Sequence, residues 1–324
     1  MDLHGLTDNL TNPALLFFLL GILAVQLKSD LKIPESSSKF ISVYLLLSIG
    51  FKGGQELSHS GIGGEVLWSM VLGVFLAAII PLTAFFFLSR KLSIANAGAI
   101  AASYGSVSAV TFVTAISFLD FEGTAFGGHM IAVMAVMEAP AIIVGVTLIN
   151  YFKKQSGMAI SKDKSHSDVL WHSVTNGSVL LIVGSLVIGY LASEQQAEGI
   201  KPFTTDIFKG FLAVFLLDMG LSCGKHISVL VQKGIFPFLF AILMPFAHGL
   251  LGLYLSSLIT DVPGNQFLFA ILAASASYIA VPAAMKNAVP EANPSLYLPM
   301  ALGITFPINV MVGIPFYYTM VGWF

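Results

Sequence analysis

The stretch AASYGSVSAVTF, residues 101–112, lies inside a long apolar run, yet it carries Ser103, Gly105, Ser106, Ser108 and Thr111. The chain around it is 56% hydrophobic and 10% charged, with a mean hydropathy of +0.87, where soluble domains carry about 25% charged residues. This composition marks an integral membrane protein. At membrane depth lipid offers no hydrogen-bond partners, so a cluster of hydroxyls must be satisfied by the protein itself, by water or by a ligand. The cluster therefore reads either as close helix packing through small residues or as a binding site. A second cluster decides between them.

That second cluster is AASASYIAVP, residues 273–282, with Ser275, Ser277, Tyr278 and Pro282. It matches AASYGSVSAV, residues 101–110, in the other half of the chain. Two further echoes occur in the same order: LLLSIGFKGG (45–54) with FLLDMGLSCG (215–224), and VMEAPAIIVGV (136–146) with ITFPINVMVGI (304–314). At about 20 apolar residues per crossing, the 324 residues fit ten membrane segments, expected at 10–27, 40–54, 66–89, 94–118, 127–152, 171–192, 206–224, 235–259, 266–288 and 296–323. The polar stretch KKQSGMAISKDKSHSD (153–168) divides them five and five. The expected organisation is a first repeat at 1–152, a linker loop at 153–170 and a second repeat at 171–324.

A repeat with an odd number of crossings enters the membrane upside down relative to its mate, an arrangement common among secondary transporters. The expected fold is thus all-α: ten transmembrane helices in two inverted five-helix repeats, the fourth and ninth helices discontinuous. Alternating loops put twelve of the fifteen Lys and Arg on one side, leaving Lys52, Lys201 and Lys209 on the other. By the positive-inside rule the linker is cytoplasmic and both termini are external. The opening Met-Asp-Leu-His lacks the basic region of a cleavable signal peptide, so the first apolar segment is expected to remain as a membrane helix.

In each broken helix the freed N–H groups and positive dipole end of a half-helix offer a site to a small anion, while hydroxyls and freed carbonyls suit a sodium ion. Glu138, midway along the fifth segment, costs about 2.5–3.5 kcal/mol to insert and reads as a cation ligand or proton carrier, against the alternative of a neutral acid in a polar core. Asn309 and Thr305 sit at the matching repeat position with neutral oxygens. Lys52 and Asp218 read either as a structural pair across the repeats that neutralises both or, for Lys52, as a residue of the external interface. The seven histidines show no metal-binding spacing and the single cysteine, Cys223, excludes an internal disulfide. No nucleophile with a base, phosphate loop or nucleotide motif is present, so neither an enzyme nor an ATP-driven pump is expected, nor a cofactor, nor nucleic acid as a partner.

Together IPE (33–35), LLLSIGFKGG, YGSVSAVT, MEAP, AASASYIAVPAAMKNAVPEANPS and ITFPINVMVGIPF resemble the sodium-dependent bicarbonate transporter family known from cyanobacteria, over nearly the whole chain. The resemblance implies crossing fourth and ninth helices, a homotrimer in a bacterial plasma membrane and a PII-like regulatory partner. It implies anion and sodium sites on Gly105, Ser106, Ser108, Thr111, Ser275 and Ser277, with Glu138 nearby. Gly105, Ser106, Ser108, Ser275 and Ser277 are assigned to the anion, and Thr111, Glu138, Tyr278 and Asn309 to the cation. Tyr278 stands where the cyanobacterial members carry an acid, and the loop between the repeats is shorter than theirs. The readings carried forward are sodium-coupled bicarbonate uptake, sodium symport of another small anion such as a carboxylate, and an anion channel or membrane sensor without coupled transport.

Overall fold

A computed structural model of the chain describes residues 13–60, 63–155, 177–231 and 234–323, and every regular element among them is helical. The expected linker beyond residue 155 and the first residues of the sixth segment lie outside the described residues. In chain order the helices are α1 (Pro13–Gln26), α2 (Glu35–Ser60), α3 (Gly64–Leu88), α4 (Ile94–Gly105), α5 (Ala109–Glu122), α6 (His129–Gln155), α7 (Gly177–Leu191), α8 (Glu194–Lys201), α9 (Phe208–Val231), α10 (Ile235–Ser257), α11 (Pro263–Ala274), α12 (Ala280–Ala288) and α13 (Pro294–Met320). Lys153 to Gln155, assigned to the linker from sequence, continue α6.

Among the described residues six spans are long and apolar enough to cross a membrane: Gly64–Leu88, Ile94–Glu122, His129–Gln155, Glu194–Lys225, Ile235–Ser257 and Pro294–Met320. The remaining expected segments fall short for separate reasons. Helix α2 has 26 residues but carries Glu35, Lys39, Lys52 and Glu56; α1 and the described part of α7 are only 14 and 15 residues long; α11 and α12 are two pieces of 12 and 9 residues. Helix α8 was not expected from sequence. Its signal is the capping box Ser193-x-x-Gln196, in which each side chain serves the other's backbone N–H.

Two helix pairs form by close backbone approach, α1 on α9 and α2 on α7. A Cβ on Gly220 would strike Phe18 O and Gly21 Cα; one on Gly50 would strike Ile182 O and Ser185 Cβ. One turn on, Gly224 faces Val25 as Gly54 faces Gly189. The four glycines are the pairs that the sequence echo aligned, and their partners keep one register. Without a hydrophobic drive between helices in lipid, such contacts gain their energy from dispersion at short range, which a side chain would abolish.

The breaks fall where the hydroxyl clusters lie. Helix α4 ends at Gly105 and α5 begins at Ala109; α11 ends at Ala274 and α12 begins at Ala280. Pro282 does not cause the second break. It sits third in α12, within the first turn, where a missing N–H leaves no helical bond unmade. Helix α13 instead runs on past its prolines with widened π turns at Pro299–Thr305 and Asn309–Gly313, local insertions of the kind found inside α-helices.

Candidate functional site

The two interrupted helices are bonded to each other at their breaks. Ser277 N donates to Ser103 O at 2.7 Å, the Ser103 hydroxyl donates back to Ser277 O, and Ser108 N donates to Ser275 Oγ at 3.1 Å. Ser275 Oγ in turn donates to Leu272 O at 2.9 Å. The unwound residues thus satisfy part of their backbone by exchange between the two halves of the chain, which is how irregular chain persists at membrane depth. Ser103 was absent from the residues assigned to the site from sequence, although the same cluster contains it.

Each second half-helix is capped by its own serine. Ser108 Oγ accepts from Thr111 N at 3.2 Å, and Ser277 Oγ accepts from Val281 N at 3.3 Å. Both caps open onto one cavity of about 70 Å³. Its wall takes Ser108, Ala109 and Val110 from α5, Ser277, Tyr278, Ile279 and Ala280 from α12 and its approach, Ser42, Leu45 and Leu46 from α2, and Met134, Ala135 and Glu138 from α6. Ile182 and Phe215 complete it with Val107 and Val113. A water needs roughly 10–15 Å³ on this measure, so the space suits an ion of a few heavy atoms with a small neighbour beside it.

The assigned residues divide by place. Ser108, Ser277, Tyr278 and Glu138 line the cavity. Ser275 stands one bond behind it, through Ser108 N. Asn309 lies behind the other break, where its Nδ2 donates to Ala274 O at 2.7 Å. Ser106 and Thr111 are buried but are not on the wall, and Gly105 packs against Pro81, whose ring fills the place of a Cβ. Ser106 Oγ and Asn309 Oδ1 have no hydrogen-bond partner among the described residues. A buried acceptor left so costs about 1–3 kcal/mol, a deficit that a cation or a water relieves. The Tyr278 hydroxyl meets the Ser108 side chain and lies 3.9 Å from Met219 Sδ.

The sequence reading missed the contribution of α2 and α9 to the wall. Ser42, whose hydroxyl donates to Ser38 O at 3.0 Å, and Phe215 lie outside the two hydroxyl clusters at the breaks, so nothing local marked them. It also misplaced a charge. Lys52 does not meet Asp218: its ammonium lies 3.5 Å from Asp120, while Asp218 accepts from the Ser38 hydroxyl. The sequence echo put Lys52 and Asp218 within about a turn of each other in the two halves, but they line different cavities. Thr305, the neutral mate expected near Glu138, instead ties α13 to α10 and α4: it donates to Ala241 O at 2.8 Å, and its one proton being spent, Tyr104 must donate to it at 2.7 Å.

Electrostatically the cavity has two helix N-termini and, among the described residues, one carboxylate and no basic side chain on its wall. The N-termini favour negative charge and Glu138 favours positive charge, so the arrangement can take an anion and a cation side by side. The most sequence-specific stretch, NAVPEANPS (287–295), serves elsewhere: Glu291 pairs with Lys153, and Asn293 N donates to Asn96 Oδ1 at 2.8 Å, clasping the chain after α12 to the ends of α6 and α4. No curated protein matches the chain. A family comparison does match, by the description Na+-dependent bicarbonate transporter superfamily, over residues 13–322. Multiple apolar helices, paired breaks that meet at one small cavity, and this match along nearly the full length agree, and the chain belongs to that superfamily of membrane transporters.

Proposed function

We propose that the protein is a symporter that uses the sodium gradient to import bicarbonate. The observation that carries the reading is the pairing, in one cavity of about 70 Å³, of two half-helix N-termini with the carboxylate of Glu138. Two like charges about 4 Å apart repel by roughly 4 kcal/mol at an effective dielectric constant near 20. An anion at the caps therefore enters beside Glu138 at a penalty, and a sodium ion near that carboxylate removes it. Coupling is a consequence of this charge arrangement. Ser108, Ser275 and Ser277 serve the anion directly or through one bond, with Gly105 and Ser106 shaping the break. Glu138, Tyr278, Thr111 and Asn309 serve the cation, and the unpartnered Asn309 Oδ1 supports that role.

The ten-helix inverted repeat belongs to the same proposal, supported by the matched glycine contacts of α1 with α9 and α2 with α7. The orientation, with both termini external in a bacterial plasma membrane, draws support from charge placement: Lys32 and Lys225, assigned to one side, share a cavity, and Lys52 lies at the other end. The homotrimer and a PII-like partner follow from the family resemblance. Tyr278 favours a second reading, a small carboxylate as substrate, since its phenol supplies a neutral donor to the cavity.

The test is initial uptake of labelled bicarbonate into proteoliposomes in sodium and in potassium medium, with acetate as competitor. Sodium-dependent uptake insensitive to acetate is expected. Equal rates in both media would reject the symport, and displacement by acetate would favour the carboxylate.

A further inference from the structure

Three cavities lie along the seam between α2 and α9. From one end of α2, Ser38 lines the first, Ser42, Leu45 and Leu46 the central one, and Ile49, Lys52, Gly53 and Glu56 the third. Helix α9 visits them in reverse order: Phe208 lines the third, Phe215 the central one, and Asp218, Met219, Ser222 and Lys225 the first. Ser38 to Glu56 spans about 27 Å at 1.5 Å per residue, close to the thickness of a bilayer core, about 30 Å. The cavities are therefore stacked across the membrane.

Their charges differ. The third cavity sets Lys52 against Asp120 and Glu56. The first, of about 360 Å³, has Lys32, Lys225 and Asp218 as the charged residues among those described on its wall, with the hydroxyls of Ser38 and Ser222 beside them, a lining of two cations and one anion. Asp218 already accepts from Ser38. The wall between this cavity and the central one is thin: Met219 lines the first, Tyr278 lines the central one, and the two touch at 3.9 Å. On α2 the step between them is one turn, from Ser38 to Ser42, about 6 Å.

We infer that the cavity lined by Lys32 and Lys225 is a second subsite for the transported anion, taking a small monovalent oxyanion on its way to or from the central cavity. The inference rests on the anion-transport reading for the identity of its ligand. The central cavity holds an anion by neutral donors, so a neighbouring cationic cavity one turn away draws the anion off without a trap of fixed charge at the midpoint. In the proposed orientation this is the cytoplasmic, release end.

The test reads the subsite apart from transport. In the full-length protein with Cys223→Ala, Ile33→Cys places a thiol on the cavity wall while leaving both lysines. Bicarbonate at fixed pH should slow modification by an anionic methanethiosulfonate at least about threefold, and gluconate at equal ionic strength should not. Adding Lys32→Gln and Lys225→Gln should abolish the protection, and the double Lys→Arg variant should retain it. In proteoliposomes the Gln pair should raise the KM for anion entering from this face by about tenfold, the loss of two exposed charge interactions, and leave the KM from the opposite face unchanged. Equal slowing by gluconate, protection that survives the Gln pair, or a KM raised equally from both faces would overturn the subsite. A protein that shows selective protection but no bicarbonate flux would overturn the transport reading and leave the subsite standing.

Discussion

Glu138 is the sole carboxylate among the described residues on the wall of the central cavity, and Ser108 and Ser277 are the caps that line it. Their roles separate by substitution. Glu138→Gln keeps the volume and removes the charge, so the sodium dependence of uptake should fall sharply while the purified protein keeps its thermal stability. Unchanged sodium activation would leave the residue a structural acid. Losing one hydrogen bond to a charged ligand costs about 1.5–3 kcal/mol, so Ser108→Ala and Ser277→Ala should each weaken bicarbonate affinity by roughly one to two decades. Because both face one ligand, the double variant should depart from additivity, as read by titration in sodium buffer. Strict additivity would place the two serines on separate events.

At the scale of the helices, the seams of α1 with α9 and α2 with α7 are set by glycine. Gly220→Val forces a branched side chain into Phe18 O and Gly21, and Gly54→Val does the same at Leu186 O and Gly189. Each should destabilise by about 1–3 kcal/mol or more, seen as a lower melting temperature in detergent. Gly199→Ala, in α8 with open space where its Cβ would stand, should leave stability equal or slightly higher, by about 0.5–1 kcal/mol. Both helix breaks and the matched glycines were legible in the sequence, because each leaves a local mark, hydroxyls crowded into an apolar run and glycines at echoed places; which helices those glycines bring together was not. The cause of the second break was not legible: the unwinding spans Ser275 to Ile279 and is held by bonds from Ser103 and Ser108, in the other half of the chain. Ser42 and Phe215, and the pairing of Lys52 with Asp120, stayed hidden for the same reason. They depend on which helices become neighbours, and no local pattern records that.

For the whole molecule the account links sidedness, a central cavity and a sodium gradient. Sidedness has its own check: in a Cys223→Ala background, Ser161→Cys should resist an impermeant thiol reagent in intact cells and react after permeabilisation. Ready labelling in intact cells would invert the molecule. The central claim is that anion and sodium move as one event through the cavity between α5 and α12. It is tested most directly by concentrative uptake: proteoliposomes loaded without sodium, given an inward sodium gradient and equal bicarbonate and pH on both sides. The account predicts that labelled bicarbonate accumulates above its outside concentration and drains when a sodium ionophore collapses the gradient. Uptake that stops at equal concentrations on the two sides, with the gradient intact, would contradict it.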